Sequence, residues 1–170
     1  MRTADPFILE LDVEAPITRR VLERVPADRL GWKPHPRSSS VGQLALHAAR
    51  LPQAFTSFVA RPSLDILAAN RTQAPPDSHE AILAAFDESV AAARGYLAGL
   101  DDASAQEPWR LVAGEKEIYA MPRAFALRRL LFNHWYHHRG QLTVYLRLLD
   151  VSVPVVYGQT ADETPLGPRA

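Results

Sequence analysis

The stretch Asn133-His134-Trp135-Tyr136-His137-His138-Arg139-Gly140-Gln141 holds three of the six histidines within five consecutive positions. His134 and His138 are four residues apart, so on a helix they stack one turn above the other on a single face. Two imidazoles presented that way can grip one metal ion and need only a third ligand from elsewhere. On spacing alone His137, three residues from His134, can replace His138 in the pair. The best third donor is His47, set in the apolar stripe of an earlier helix. Three neutral nitrogens suit Zn²⁺, Ni²⁺, Fe²⁺ or Cu²⁺, and three protein ligands leave a coordination position open, as catalytic sites do. Beside a divalent ion, bound water or a bound thiol loses its proton near neutral pH and becomes a nucleophile. Trp135 stands where a His-Glu-x-x-His metalloprotease needs its glutamate, so that mechanism is excluded. A histidine on an apolar face, such as His47, is also the ordinary form of a hydrogen-bonded core residue. Spacing alone therefore leaves the ligand set open.

The row Leu127, Leu131, His134, His138, Gln141, Tyr145 and Leu148 falls along one side of the helix that carries this stretch. A solvent-facing row would not begin and end in leucine. A core-facing row would not put four polar groups in its middle, because each one buried without a partner costs about 1–3 kcal/mol. A metal resolves the conflict by coordinating the histidines, with Gln141 and Tyr145 as the catalytic candidates that hold water or substrate beside it. Arg139 is expected to be structural, paired to a carboxylate on an adjacent helix, and Gly140 to permit close helix packing.

The elements that must position these residues read as follows. A first helix runs from Pro6 to Val25, with Asp5 as a cap and Ile8, Leu11, Ala15, Leu22 and Val25 at helical spacing, interrupted by Thr18. A proline-rich connection follows, in which Trp32 and His35 either line a pocket mouth or merely plug the bundle and meet solvent. Serines cap a second helix from Ser40 to Ala60. Pro52 within it cannot donate to the carbonyl of Ala48, so a kink is expected just after His47. Residues Arg61 to Asp77 form a second connection. Asp77-Ser78-His79-Glu80 resembles a capping box with Asp77 at the cap, and opens a third helix that ends near Leu100, with His79 at the surface. Trp109–Val112 and Glu115–Tyr119 alternate and turn at Ala113-Gly114, which predicts a short hairpin leaning on the bundle. Pro122 opens the fourth helix, which ends near Asp150. An extended segment follows, and Thr164 to Ala170 read as a flexible tail. The sum is a single all-α domain over 1–170, a four-helix bundle with a hairpin-like insertion between helices three and four.

Composition narrows the function classes. Lys+Arg and Asp+Glu balance at 19 each among 170 residues. Without a concentrated basic patch, neither nucleic acid nor an anionic membrane is the expected partner. No apolar run reaches the length of a membrane span, and the first residues lack the apolar segment of a signal peptide, so the expected location is cytoplasmic. The chain has no cysteine. Thiolate ligands and a cysteine nucleophile are thereby excluded, and any thiol chemistry must use a thiol that arrives with the substrate.

Taken together, His134-x-x-x-His138-Arg139-Gly140-Gln141-Leu142 followed by Tyr145-Leu146-Arg147 closely resembles the signature of the DinB/YfiT-like family. The resemblance extends to Val41-Gly42-Gln43-Leu44-Ala45-Leu46-His47, to Val25-Pro26 with Trp32-Lys33-Pro34, and to Val153-Pro154 with Tyr157-Gly158. It implies a four-helix bundle holding a divalent metal, Zn²⁺ or Ni²⁺ foremost, through His47, His134 and His138. It also implies a homodimer and a small-molecule substrate. Some relatives are transferases or isomerases using bacillithiol, mycothiol or glutathione, and others are stress- or damage-induced proteins. The implied activity is a metal-dependent thiol transferase, with a hydrolase-like activity or a non-catalytic stress or small-molecule-binding protein as the alternatives. Asp150 departs from the family pattern by standing where glycine commonly closes helix four, and Gln159 by following Tyr-Gly where proline is frequent.

Overall fold

The structure, a computed structural model, describes residues 1–68 and 74–169. Residues 69–73, in the second connection, and Ala170 lie outside the described residues. Four long helical runs form the bundle: α1 (Asp5–Glu23), α2 (Val41–Ala60), α3 (His79–Gly99) and a composite last run. That last run begins as α5 (Arg123–Ala126), passes through a π-helical segment Leu127–Asn133 and continues as α6 (His134–Leu148). The intervening α4 (Asp102–Gln106) is a single short turn. In the bundle, α1 and α2 each pack against both α3 and α6. Leu11, Leu22, Leu51, Ile82, Leu97, Phe132, Trp135 and Leu142 meet in the fully buried core.

The caps follow local chemistry, with two corrections to the sequence reading. Asp5 does not cap α1; it is the first helical residue and accepts the Arg2 amide at 2.7 Å. Ser78, not Asp77, caps α3, its hydroxyl accepting from Ala81 N. Ser40 and Gln43 complete a reciprocal capping box at the start of α2. At the far end of α6, Asp150 adopts φ 58°. Asp150 N donates to Arg147 O and Val151 N to Leu146 O, the bonding of a Schellman motif with aspartate in glycine's place. Gly42 sits where a side chain would not fit: an added Cβ would meet Leu30 O at 2.8 Å.

The insertion is a hairpin, β2 (Pro108–Ala113) and β3 (Lys116–Pro122), turning at Gly114 with φ +59°. It is also more than a hairpin, because β1 (Ser63–Asp65) joins β2 in parallel to make a three-stranded sheet. The fully buried Trp109 donates from Nε1 to Phe58 O and rests the sheet on the end of α2. After α6 the chain runs back over α1, where Glu163 accepts from Arg20, Arg24 and Val155 N. The segment read as a tail from Thr164 pairs β4 (Glu163–Thr164) with β5 (Gly167–Pro168).

The π segment changes which residues of the last run face the core. The buried row is Leu127, Leu131, Trp135, Arg139, Leu142 and Leu146. Its first steps are four residues each, and on a helix of 3.6 residues per turn every such step drifts by about 40°. Three of them drift by roughly 120°, which the extra residue of a π turn takes up. A regular helix would instead have kept His134, His138, Gln141, Tyr145 and Leu148 in line with Leu127 and Leu131, as the sequence row assumed. In the structure those histidines stand beside the core row, facing α2, and Leu148 is 56% exposed.

Candidate metal centre

Two facts place the three imidazoles together. The first is Pro52, which leaves the carbonyl of Ala48 without its helical donor. Trp135 fills that role, donating from Nε1 to Ala48 O at 3.1 Å in a buried contact. The bond ties the residue after His134 to the residue after His47. The second fact is the π turn, which brings His134 and His138 round to α2. One ligating atom from each of His47, His134 and His138 then lies within 4.8 Å of the others. Ring centroids are 5.6 Å apart for His47 and His134, 4.5 Å for His47 and His138, and 4.6 Å for His134 and His138.

The protonation chemistry suits a cation. His138 Nδ1 lies 3.0 Å from Gln141 Oε1, so Nδ1–H donates to the amide oxygen and the lone pair is left on Nε2. That Nε2 faces His134 Nε2 at 2.7 Å. At this separation His134 Nε2–H donates to the lone pair of His138 Nε2, and a bound cation would displace that proton. Burial, followed by the neighbouring imidazoles, lowers His47 and His134 to about 4. Burial also lowers His138, partly offset by the bond to Gln141. All three rings are therefore neutral at pH 7, which is the form that ligates. Donor type, convergence and charge state all fit a divalent ion.

The surrounding residues divide differently from the sequence expectation. Gln141 is engaged with His138 itself. Tyr145 is buried, its hydroxyl donating to Ser39 O across a long 3.4 Å and its ring meeting the edge of Trp32. His35 is exposed and accepts from Arg37 N within its own loop. His137 is exposed on the outer side of α6. Gly140 is exposed too, with nothing within 4 Å of an added Cβ, so it serves no close packing within this chain. His79 is half-buried rather than at the surface, 2.9 Å from Leu22 O. Arg139 is structural as expected: only 1% exposed, it pairs with Glu14 of α1 at 2.6 Å and also donates to Thr18 Oγ1, the polar interruption in the stripe of α1.

Sequence reasoning missed Phe55, whose ring packs 5.1 Å from that of His134 and extends through Phe58 into an aromatic wall. It also missed Trp135 as the donor to Ala48, although the proline at 52 was a signal that this carbonyl needed one.

Comparison with known proteins supports the same architecture. The DinB family model matches residues 1–167. The uncharacterized protein YrdA of Bacillus subtilis (strain 168) is 25% identical over 163 residues, which cover 95% of this chain and 92% of that protein. A DinB-like protein from Bacillus cereus ATCC 10987 superposes with TM-score 0.66 at 22% identity, over 89% of this chain and 95% of that one. The DinB-like protein YjoA from Bacillus subtilis does so with TM-score 0.69 at 15% identity, over 92% of this chain and all of that one. At such identities the two structures speak for the fold, while the family match runs through all four helical runs and takes in His47, His134 and His138: this chain belongs to the DinB family.

Proposed function

We propose that His47, His134 and His138 hold a divalent cation, Zn²⁺ or Ni²⁺, and that the protein is a transferase joining a small-molecule thiol to an electrophilic substrate. The observation that carries the reading is the convergence of three neutral imidazole nitrogens with the tautomer of His138 already set by Gln141. The bound cation supplies positive charge that favours the deprotonated form of a thiol or water beside it. Burial keeps the imidazoles unprotonated, so the site is ready for a cation at neutral pH. Gln141 holds His138 with its lone pair on Nε2, and Tyr145 orients the incoming small molecule from the next turn of α6. Phe55 and Phe58 shield one side from water. The chain has no cysteine, so the attacking sulfur belongs to a low-molecular-weight thiol. A sulfur–carbon bond forms as the leaving group departs with its electron pair, and the thiol proton passes to solvent. Among the described residues, the influences on the three rings include one another, His137 and Gln141. No carboxylate among them joins His47, His134 and His138 in the cluster, which favours thiol transfer over hydrolysis.

The test is to load the protein with Zn²⁺ or Ni²⁺ and follow consumption of an electrophile such as monobromobimane with glutathione, bacillithiol or mycothiol. At least one thiol should react faster than with the His138→Ala variant. Equal rates with every thiol would overturn the transferase reading. Ligand-induced thermal shifts without any product would favour a non-catalytic binding or stress protein. The family resemblance also implies a homodimer acting in the cytoplasm, which light scattering on the purified protein tests for its oligomeric part.

A further inference from the structure

α1 carries Glu10 and Glu14 one turn apart, and each carboxylate holds an arginine and a tyrosine. Glu14 accepts from Arg139 and, at 3.1 Å, from Tyr157. Glu10 accepts from Arg128 at both of its oxygens, the Nη1–Oε1 contact being 2.7 Å, and from the hydroxyl of Tyr136. The positions of these last two partners are informative. Arg128 lies inside the π segment, whereas Tyr136 lies beyond its end in α6. A single carboxylate on α1 therefore ties together the chain on both sides of the extra residue. Arg128 also lies over the ring of Phe132, 4.8 Å from its centroid, and Phe132 in turn stacks on Phe7 of α1.

The register held there decides where the histidines point. A π turn is less favourable than a regular turn, and the α-helical alternative rotates everything downstream by about one residue, roughly 100°. That rotation would turn His134 and His138 into the core, in line with Leu127 and Leu131, and take Trp135 away from Ala48. It would also move Tyr136 off the α1 side, away from the carboxylate that Arg128 reaches. Only in the π register can Arg128 and Tyr136 meet Glu10 together. We infer that Glu10, through Arg128 and Tyr136, is the positioning group that holds the π register and so aims His134 and His138 at His47. These residues touch neither cation nor substrate. They act through the backbone of the helix that carries the ligands, and the inference rests on the three-imidazole reading of the site.

Glu10→Ala and the milder Tyr136→Phe test this, with Glu163→Gln as a control that loosens a different buried carboxylate, one on β4 that holds Arg20 of α1 and Arg24 just after it. The readouts are Co²⁺ affinity, from the visible spectrum under chelator competition, and the imidazole ¹⁵N shifts of the metal-free protein. Glu10→Ala should weaken Co²⁺ binding at least about tenfold, the lower end of the range for groups that orient ligands. Tyr136→Phe should weaken it less, and both should move the His134 and His138 signals. Glu163→Gln should leave affinity within about twofold and those signals in place. Glu10 and Tyr136 variants that bind Co²⁺ as the wild type does, with unmoved imidazole signals, would overturn the inference, whatever their melting temperatures. Failure of the wild type to bind Co²⁺ would instead sink the metal reading, and the imidazole signals of the metal-free variants would still decide the register.

Discussion

Along α6, consecutive residues turn to different neighbours: His138 to α2, Arg139 to α1 and Gly140 to solvent. The α2 side is made of neutral groups, three imidazoles, Gln141 and the indole of Trp135, held by bonds between uncharged partners. The α1 side is ionic, with Arg128 and Arg139 paired to Glu10 and Glu14 and the guanidinium of Arg139 about 5.0 Å from Tyr136 and 4.8 Å from Tyr157. Arg139 and Glu14 are buried, Arg128, Glu10 and the three imidazoles half-buried, and the two sides meet the cost of burial by opposite means. On the α1 side each charge has a counter-charge, so nothing is left to bind. On the α2 side the imidazoles stay uncharged and one ligating atom of each converges, so the seam could hold a cation. The contrast separates the side that fixes the helix from the side that the helix presents.

The most damaging way to break the contrast is Arg139→Ala. It strands the Glu14 carboxylate, 8% exposed, without its counter-charge, leaving it the Tyr157 hydroxyl. Removing one member of a buried pair costs about 3–5 kcal/mol, and chemical denaturation should show a loss of that size. Trp135→Phe attacks the neutral side by orphaning the buried carbonyl of Ala48. An unsatisfied buried acceptor costs about 1–3 kcal/mol, visible in the same denaturation experiment. Gln141→Leu separates tautomer control from stability. Metal affinity should fall about 10- to 100-fold, as for other groups that orient a ligating histidine. The denaturation midpoint of the metal-free protein should barely move, because Gln141 is only half-buried.

The last effect is in pH and needs no substitution. His47 and His134 titrate at about 4 in the fold, against an unfolded value of about 6.5. Between those limits the unfolded chain binds more protons than the native protein, so stability rises with pH across that window and is full above it. The metal-free protein should therefore lose stability as pH falls from about 6.5 towards 4. Metal affinity should hold nearly level down to about pH 5, whereas a site of ordinary imidazoles would weaken from about pH 6.5. A midpoint that stays level from pH 7 to 4 would show that burial does not hold these rings neutral.

The sequence made some of this legible and hid the rest for identifiable reasons. The helices, their proline breaks and the hairpin turn at Gly114 are local patterns, and local patterns survive in one dimension. His134 and His138 as a pair required the family resemblance to set His137 aside. The π turn left only a faint trace, a core row stepping by four, which is easily taken for a regular helix once His134 and His138 look like members of it. The partnership of Glu10 with Arg128 spans 118 positions and has no local signature. β1 was hidden because three residues beside a proline carry too little pattern to be told from loop. Gln141 was expected to hold water or substrate, and its bond to His138 Nδ1 has no sequence signature because only a hydrogen-bond partner reveals it.

The most direct measurement is elemental analysis of protein purified without a histidine tag, beside His47→Ala and His138→Ala variants of unchanged helical content. The account predicts about one divalent ion per chain in the wild type and near none in either variant, since three convergent neutral ligands are needed to retain it. Equal metal content in all three proteins, or none in any of them after incubation with Zn²⁺ and Ni²⁺, would contradict it.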